Sequence, residues 1–488
     1  MNYKFRNRIF SGLLWSCGER MTAQLVSFLV SIILARMVTP REYGVIALVM
    51  IFISIGNIFV TDGFGNALVQ KQNADTIDFS SVFLFSLILS VLLYGLLYWI
   101  SPFIAEFYDL PVLKNVIRIM GIRIILASVN TVQRAYISKK MEFRKFFFST
   151  IIGTIISAIT GILMAYKGYG VWALVIQYLT NSLIDTTILS VTSGWKISFK
   201  FSFKRLKPLI SYGWGIFAVA LMNALYSNLR NFVIGKRFST DDLAYSTKGQ
   251  QFPGLVAANI NNSINAVLFP AVSMVQEDKN KMLSVTRRMI QIETFFVGPL
   301  LFGLAAVSPL CIRLLLTEKW LQCVPYLKIM CGVYVLQPIQ MASIQAMKAM
   351  GYSELYFRLD IIKKAVALII LFIAVFYYNS VFDIVMSALA AEICATIINF
   401  PVNKKLIAYG YLEQIRDVLS PLIASAFMYW IVTFVNQKVE WMESDILRLG
   451  VLVVFGCMAY ILICYMMKLD SLFYIFNFIK EKKEGGKL

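Results

Sequence analysis

The sequence predicts an all-α integral membrane protein of about fourteen transmembrane helices. They are arranged as two parallel six-helix repeats followed by two extra C-terminal helices. Three observations carry this. Of the 488 residues, 59% are hydrophobic and only 15% charged, with mean hydropathy +0.71. A soluble domain has about 45–50% apolar and about 25% charged residues. Apolar runs long enough to cross a bilayer recur along the whole chain at about 20 residues each. Features of the first half also return about two hundred positions later.

The clearest repeat is the stretch 27–52, SFLVSIILARMVTPREYGVIALVMIF. An apolar run ends at Arg36, a short polar turn follows, and a second apolar run begins at once. Pro40 and Gly44 break a helix here, which predicts a tight hairpin between two crossings. The stretch 227–252 has the same plan: Arg36 corresponds to Lys236, Thr39 to Ser239 and Glu42 to Asp242. Ser101-Pro102, closing the third crossing, is echoed by Ser308-Pro309 at the ninth. Ile119-Met120-Gly121 is echoed by Ile329-Met330-Cys331-Gly332.

In order, the expected crossings lie near 11–36, 43–62, 79–101, 113–134, 147–167, 171–192, 208–235, 242–272, 287–308, 323–347, 359–379, 381–401, 416–436 and 447–467. The fourth, eighth and tenth are weak in hydropathy. The basic start (Lys4, Arg6, Arg8) precedes Glu19-Arg20, which interrupts the first apolar run. That reads as a retained span and not a cleaved signal. Six crossings return the chain to its starting side, so the two halves are like-oriented repeats, an organisation found in transporters. The expected divisions are 1–200 for the first bundle, 201–410 for the second, and 411–488 for the two extra helices and a polar tail.

Lys and Arg exceed Asp and Glu by 46 to 27, a net charge of +19. Thirty of the basic residues lie in segments on the N-terminal side, including Arg134, Lys139 and Lys140, and eleven on the other. This bias orients both termini to the cytoplasm and assigns the charge to topology and anionic lipid, with no nucleic-acid partner. There is no His and no CxxC pair, and the seven Cys are scattered. Metal sites, resident cofactors and Cys/His nucleophiles are therefore not expected, and the chain does not read as an enzyme. The short outward segment near 102–112 reads as interfacial. Trp172, Trp195 and Trp320 read as belt residues at span ends.

Charges inside spans are costly, about 2.5–3.5 kcal/mol each at mid-bilayer. Arg20, Arg123, Arg230 and Lys248 are candidates to line a cationic cavity for an anionic, diphosphate-like headgroup, which guanidinium groups suit through their fixed fork of donors. Arg20 has Glu19 as an alternative partner, and Lys328 has the option of snorkelling outward. Gln250, Gln251, Asn259 and Asn262, in an eighth span that also holds Asn261 and Asn265, are candidates to contact sugar hydroxyls; interhelical hydrogen bonding is the competing role. Asp62, Asp185 and Glu392 are candidates to bind a coupling H⁺ or Na⁺, against helix capping or neutralisation of Arg.

Leu34-Ala35-Arg36 followed by Thr39-Pro40-Arg41-Glu42-Tyr43-Gly44 resembles the hairpin of bacterial Wzx-type polysaccharide flippases. These belong to the multidrug/oligosaccharidyl-lipid/polysaccharide (MOP) exporter superfamily. Phe64-Gly65-Asn66-Ala67-Leu68-Val69-Gln70-Lys71 and Tyr136-Ile137-Ser138-Lys139-Lys140-Met141-Glu142-Phe143 are similar to the colanic and teichuronic acid exporter branch. The resemblance covers the first twelve spans. It implies a V-shaped pair of six-helix bundles in the bacterial cytoplasmic membrane. These would move an undecaprenyl-diphosphate-linked oligosaccharide to the outer leaflet for capsule, exopolysaccharide or O-antigen synthesis, in company with glycosyltransferases and a polysaccharide polymerase. Its cavity arginines would fall among Arg20, Arg123, Arg230 and Lys248. The rivals are a cation-coupled multidrug antiporter of the same fold, which would favour an acidic cavity, and an O-antigen polymerase or ligase, which needs a large outward loop that is not seen.

Overall fold

The computed structural model describes residues 3–196, 198–274, 278–439 and 441–474, without the side chains of 3–14, 16–17, 262–273 and 353. Among the described residues all regular structure is helical. In order the helices are α1 (Tyr3–Met37), α2 (Pro40–Thr61), α3 (Phe64–Gln70), α4 (Thr76–Phe107), α5 (Val112–Met120), α6 (Ile122–Lys140), α7 (Arg144–Tyr166), α8 (Val171–Thr192), α9 (Phe203–Arg237) and α10 (Thr240–Ser273). There follow α11 (Lys279–Leu316), a 3₁₀ turn (Glu318–Cys323), α12 (Val324–Val335), α13 (Gln337–Ala349), α14 (Ser353–Tyr377), α15 (Val381–Ile407), α16 (Tyr411–Lys438) and α17 (Asp445–Met466).

Among the described residues, eleven segments are long and apolar enough to span a bilayer. The three expected crossings without a qualifying segment are the fourth (α5–α6), the eighth (α10) and the eleventh (α14). The tenth, expected to be weak, qualifies as Glu318–Ala349. In α14 the charges Arg358, Asp360, Lys363 and Lys364 crowd the first half, and Asp360 answers Lys364 one turn away at 2.5 Å.

Both hairpins form, and the same physical device builds each turn. Thr39 caps α2: its Oγ1 accepts from Glu42 N at 3.4 Å, and Glu42 Oε2 accepts from Thr39 N at 2.8 Å. In the second copy Ser239 Oγ accepts from Asp242 N at 3.0 Å, and Asp242 Oδ2 accepts from Ser239 N at 3.2 Å. The sequence repeat at these positions is a repeated capping box, and that explains why Thr/Ser and Glu/Asp are exchanged while the plan survives.

The Ser-Pro echo has an equally specific cause. Pro102 does not end the third crossing as expected; α4 continues through it to Phe107. A proline inside a helix leaves the carbonyl four residues earlier without its N–H donor. At Pro102 that carbonyl belongs to Tyr98, and it accepts from Ser101 Oγ at 2.8 Å and Arg118 Nε at 3.4 Å. At Pro309 it belongs to Ala305, and it accepts from Ser308 Oγ at 2.7 Å. The serine repairs the break, so the helix runs on. The segment read as interfacial is accordingly part helix.

The chain divides into two compact units, Met1–Ala244 and Tyr245–Leu488. In the first, α7 packs on α1 and α8, and α6 packs on α2, α4 and α8. Helix α9 lies on α2, α3 and α4, so the packing boundary falls inside α10, later than the repeat boundary at 200/201. The α9 contact is close because two glycines meet. A Cβ on Gly63 (φ +96°) would sit 2.7 Å from the Gly213 carbonyl oxygen, and one on Gly213 would sit 2.9 Å from the Gly63 carbonyl carbon. Gly44 is pressed in the same way against the Thr240 carbonyl, which brings the two hairpin turns together.

In the second unit α11 is the central helix, packed on α12, α13, α15, α16 and α17. The two extra helices therefore join its core: Phe295, Ala424, Met428, Leu452 and Tyr460 form one apolar cluster. Trp195 and Trp320 are buried, correcting the belt assignment. Trp195 meets the edge of Phe83, and Trp320 meets Tyr245.

Replacing Gly44 by Val forces the two hairpin turns apart. We expect a loss of roughly 1–3 kcal/mol, the usual range for overpacking, read as a lower midpoint in thermal unfolding of the purified protein. An unchanged midpoint contradicts the close contact.

Candidate functional site

The cations proposed from sequence have distinct surroundings. Arg123 begins α6 and lies against α2 and α8. Its Nε donates to Ser182 Oγ at 3.0 Å, Nη1 approaches Met50 Sδ at 3.3 Å, and the guanidinium stands 5.2 Å from the Tyr178 ring centre. Among the described residues it makes no ion pair. Its neighbours there are a hydroxyl, a thioether and an aromatic face, none of them negatively charged.

Arg20 is exposed on α1, and among the described residues it too makes no ion pair. Its sequence neighbour Glu19 instead accepts from Thr150 Oγ1 of α7 at 2.9 Å. Arg230 is half-buried on α9, two residues beyond Asn228, whose Nδ2 lies 3.4 Å from Ser54 Oγ of α2.

In the second unit Lys248 is buried on α10. Its Nζ donates to Gln251 Oε1 at 3.0 Å and lies 5.8 Å from the Trp320 ring centre. Gln251 is therefore engaged with the cation. Gln250 is exposed and donates to Tyr334 Oη at 3.2 Å. Asn259 is exposed and bonds Leu255 O of its own helix at 2.9 Å. Asn261 is buried and donates to Gln337 Oε1 at 3.1 Å. The side chains of Asn262 and Asn265 lie outside the described residues.

The three carboxylates differ. Asp62 caps the C-terminus of α2 and accepts from Thr61 Oγ1 at 3.3 Å. Glu392 on α15 accepts from Gln340 Nε2 of α13 at 2.5 Å. Asp185 on α8 is a buried hub. It accepts from Asn130 Nδ2 at 2.6 Å, Arg134 Nη2 at 3.1 Å and the Ser149 hydroxyl, tying α6, α7 and α8 together.

The donors to Asp185, and the whole network around Asp417, go beyond the candidates read from the sequence. Arg134, one of the basic residues on the N-terminal side, joins Asn130 one turn earlier in presenting two donors to Asp185 from one face of α6. In the second unit Asp417 of α16 accepts from the Arg287 guanidinium, Gln291 Nε2 at 2.7 Å and Tyr409 Oη at 2.8 Å. The signal was again an i, i+4 polar pair, Arg287 and Gln291, on an apolar helix. At the start of α4, Asp75 caps the helix and pairs with Arg205. The Arg205 guanidinium, and after it the Asp78 amide, hold its carboxyl below the usual range.

Residues 33–325 match the polysaccharide biosynthesis protein family, more than half of the chain. The chain belongs to that family. The chain is 24% identical over 475 residues to the teichuronic acid biosynthesis protein TuaB of Bacillus subtilis, covering 93% of this chain and 94% of TuaB. The lipopolysaccharide biosynthesis protein WzxC of Escherichia coli is 21% identical over 367 residues, 73% of each chain. Among solved structures the fold is shared with the lipid II flippase MurJ in an inward closed conformation. The TM-score is 0.74 at 15% identity, covering 94% of this chain and 99% of MurJ. It is also shared with an inward-facing multidrug resistance MATE transporter of the MOP superfamily, with TM-score 0.65 at 14% identity, covering 81% and 98%.

Removing the carboxylate in Asp185→Ala leaves Arg134 and Asn130 without their acceptor. The expected cost is about 1–3 kcal/mol of stability, seen as a lower thermal midpoint and a reduced folded yield. Asp185→Asn, which keeps an acceptor oxygen, should recover part of both. Equal stability of Asp185→Ala and the wild type would remove the hub from this account.

Proposed function

We propose that this multi-pass membrane protein is a flippase that moves an undecaprenyl-diphosphate-linked oligosaccharide across the bacterial cytoplasmic membrane by alternating access. It supplies surface polysaccharide synthesis and is a transporter, not an enzyme. The observation that carries the reading is Arg123: a cation held between transmembrane helices by Ser182, Met50 and Tyr178, in a member of the polysaccharide biosynthesis family. A diphosphate meets the unsatisfied donors of such a group, whereas a cationic drug is repelled by it.

On this reading Arg20, Arg123, Arg230 and Lys248 hold the diphosphate during passage. Gln250, Gln251, Asn259 and Asn262 supply donors and acceptors for sugar hydroxyls. The drive is an H⁺ or Na⁺ gradient. Asp62 and Glu392 are its carriers in preference to Asp185, whose oxygens are already committed to Asn130, Arg134 and Ser149. The excess of Lys and Arg on the N-terminal side supports cytoplasmic termini. A polymerase and glycosyltransferases act before and after it on the same lipid-linked glycan. The repeat halves 1–200 and 201–410, with the pair 411–488, are the functional divisions.

Arg123→Ala or Arg230→Ala is expected to lower surface polysaccharide at least tenfold at normal protein levels. Loss of a charge-assisted hydrogen bond worth about 2 kcal/mol accounts for an effect of that size. Deleting the gene is expected to strand lipid-linked glycan in the membrane. Wild-type polysaccharide from both variants would refute the cationic site.

A further inference from the structure

The two segments that carry the family resemblance after the hairpin, Phe64–Lys71 and Tyr136–Phe143, are about seventy residues apart in sequence. The fold puts them face to face. Lys139 Nζ donates to the Lys71 carbonyl at 2.5 Å, which pins the end of α3 to the end of α6. Between these helices the first unit holds an open cavity of about 280 Å³. Thr61, Asn66, Asn130, Thr131, Arg134 and Ser138 supply its polar lining, and Val69 and Ala135 are among the apolar side chains.

These polar groups are only partly used. Asn130 gives its amide nitrogen to Asp185, but its Oδ1 is buried with no hydrogen-bond partner. Arg134 gives one nitrogen to Asp185 and keeps 43% of its side chain exposed. Asn66 is exposed on α3. The lining thus offers both donors and acceptors, with an apolar patch beside them.

Charge and size narrow the ligand. Asp185, 3.1 Å from Arg134 Nη2, partly offsets the guanidinium, whereas Arg123 makes no ion pair among the described residues. The volume lies at the lower edge of the roughly 300–1,000 Å³ typical of ligand pockets, which suits one ring and not an oligosaccharide. A sugar hydroxyl both donates and accepts, matching amide and hydroxyl walls.

We infer that this cavity binds a single neutral sugar unit, separately from the cationic diphosphate site. As a step in transport it rests on the flippase reading above, with the unit belonging to the transported glycan.

The test places Ser138→Cys in a background free of the seven native cysteines and measures its maleimide labelling rate in the purified full-length protein. Glucose, galactose and N-acetylglucosamine are added separately at concentrations well above a millimolar Kd, and inorganic phosphate is added in a further arm. At least one sugar is expected to slow labelling roughly threefold or more, as occupancy at such concentrations requires, with phosphate ineffective. Asn66→Leu, which fills the cavity, is expected to abolish that protection. Absence of protection by every sugar, protection by phosphate alone, or protection that survives Asn66→Leu overturns the inference. The two readings fail separately. If gene deletion strands lipid-linked glycan but no sugar protects, the sugar site is wrong and transport stands. If a sugar protects but no glycan is stranded, the flippase reading is wrong and the site stands.

Discussion

Within hydrocarbon no water is available to complete a carbonyl, an amide or a charge, so each must find its partner inside the protein. This constraint accounts for the details that distinguish this chain from a generic set of apolar helices. Pro102 and Pro309 each free a carbonyl, and in each case the preceding serine takes it. Asp185 collects donors from α6 and α7, and Asp417 collects them from α11 and from Tyr409. A helix bundle that met every polar group in this way would be inert. Arg123 stands out because its neighbours are polar or aromatic yet carry no negative charge.

Buried charge therefore serves two different ends. At Asp185 and Asp417 the cation and carboxylate are matched and further hydrogen-bonded, an arrangement that fixes helix positions more than it adds net stability. At Arg123 no carboxylate is matched among the described residues, and the proposed diphosphate site rests on that difference. Lys248 is intermediate, with an amide oxygen and the face of Trp320 beside it. The fold shared with MurJ and the MATE transporter shows that such charges sit on a scaffold with many uses. The residues placed in it, and not the scaffold, decide what is carried.

Much of the local structure was legible in the chain. Composition and run length specify membrane helices, and Thr39/Glu42 with Ser239/Asp242 specify two capped turns. All of this depends on residues within one turn of each other. The readings that had to be revised involve partners far away. Pro102 read as a helix end because Arg118, which joins the neighbouring Ser101 in completing the Tyr98 carbonyl, comes near only once α5 is folded beside α4. Trp195 and Trp320 read as interfacial, but Phe83 and Tyr245 bury them. Arg134 read as a topogenic charge until α8 brought Asp185 to it.

By itself, then, the sequence determined that the chain is built of membrane-spanning helices, eleven of the fourteen expected crossings having a qualifying segment among the described residues, where its two capped turns fall, and that ten or so of its charges must be managed inside. Those properties follow from hydropathy and capping, which are local. The tertiary structure alone decided which charges are neutralised and which are left open, and that Phe64–Lys71 and Tyr136–Phe143 face one cavity. Pairing depends on distances of about 3 Å between side chains on different helices, and no spacing along a single chain encodes those.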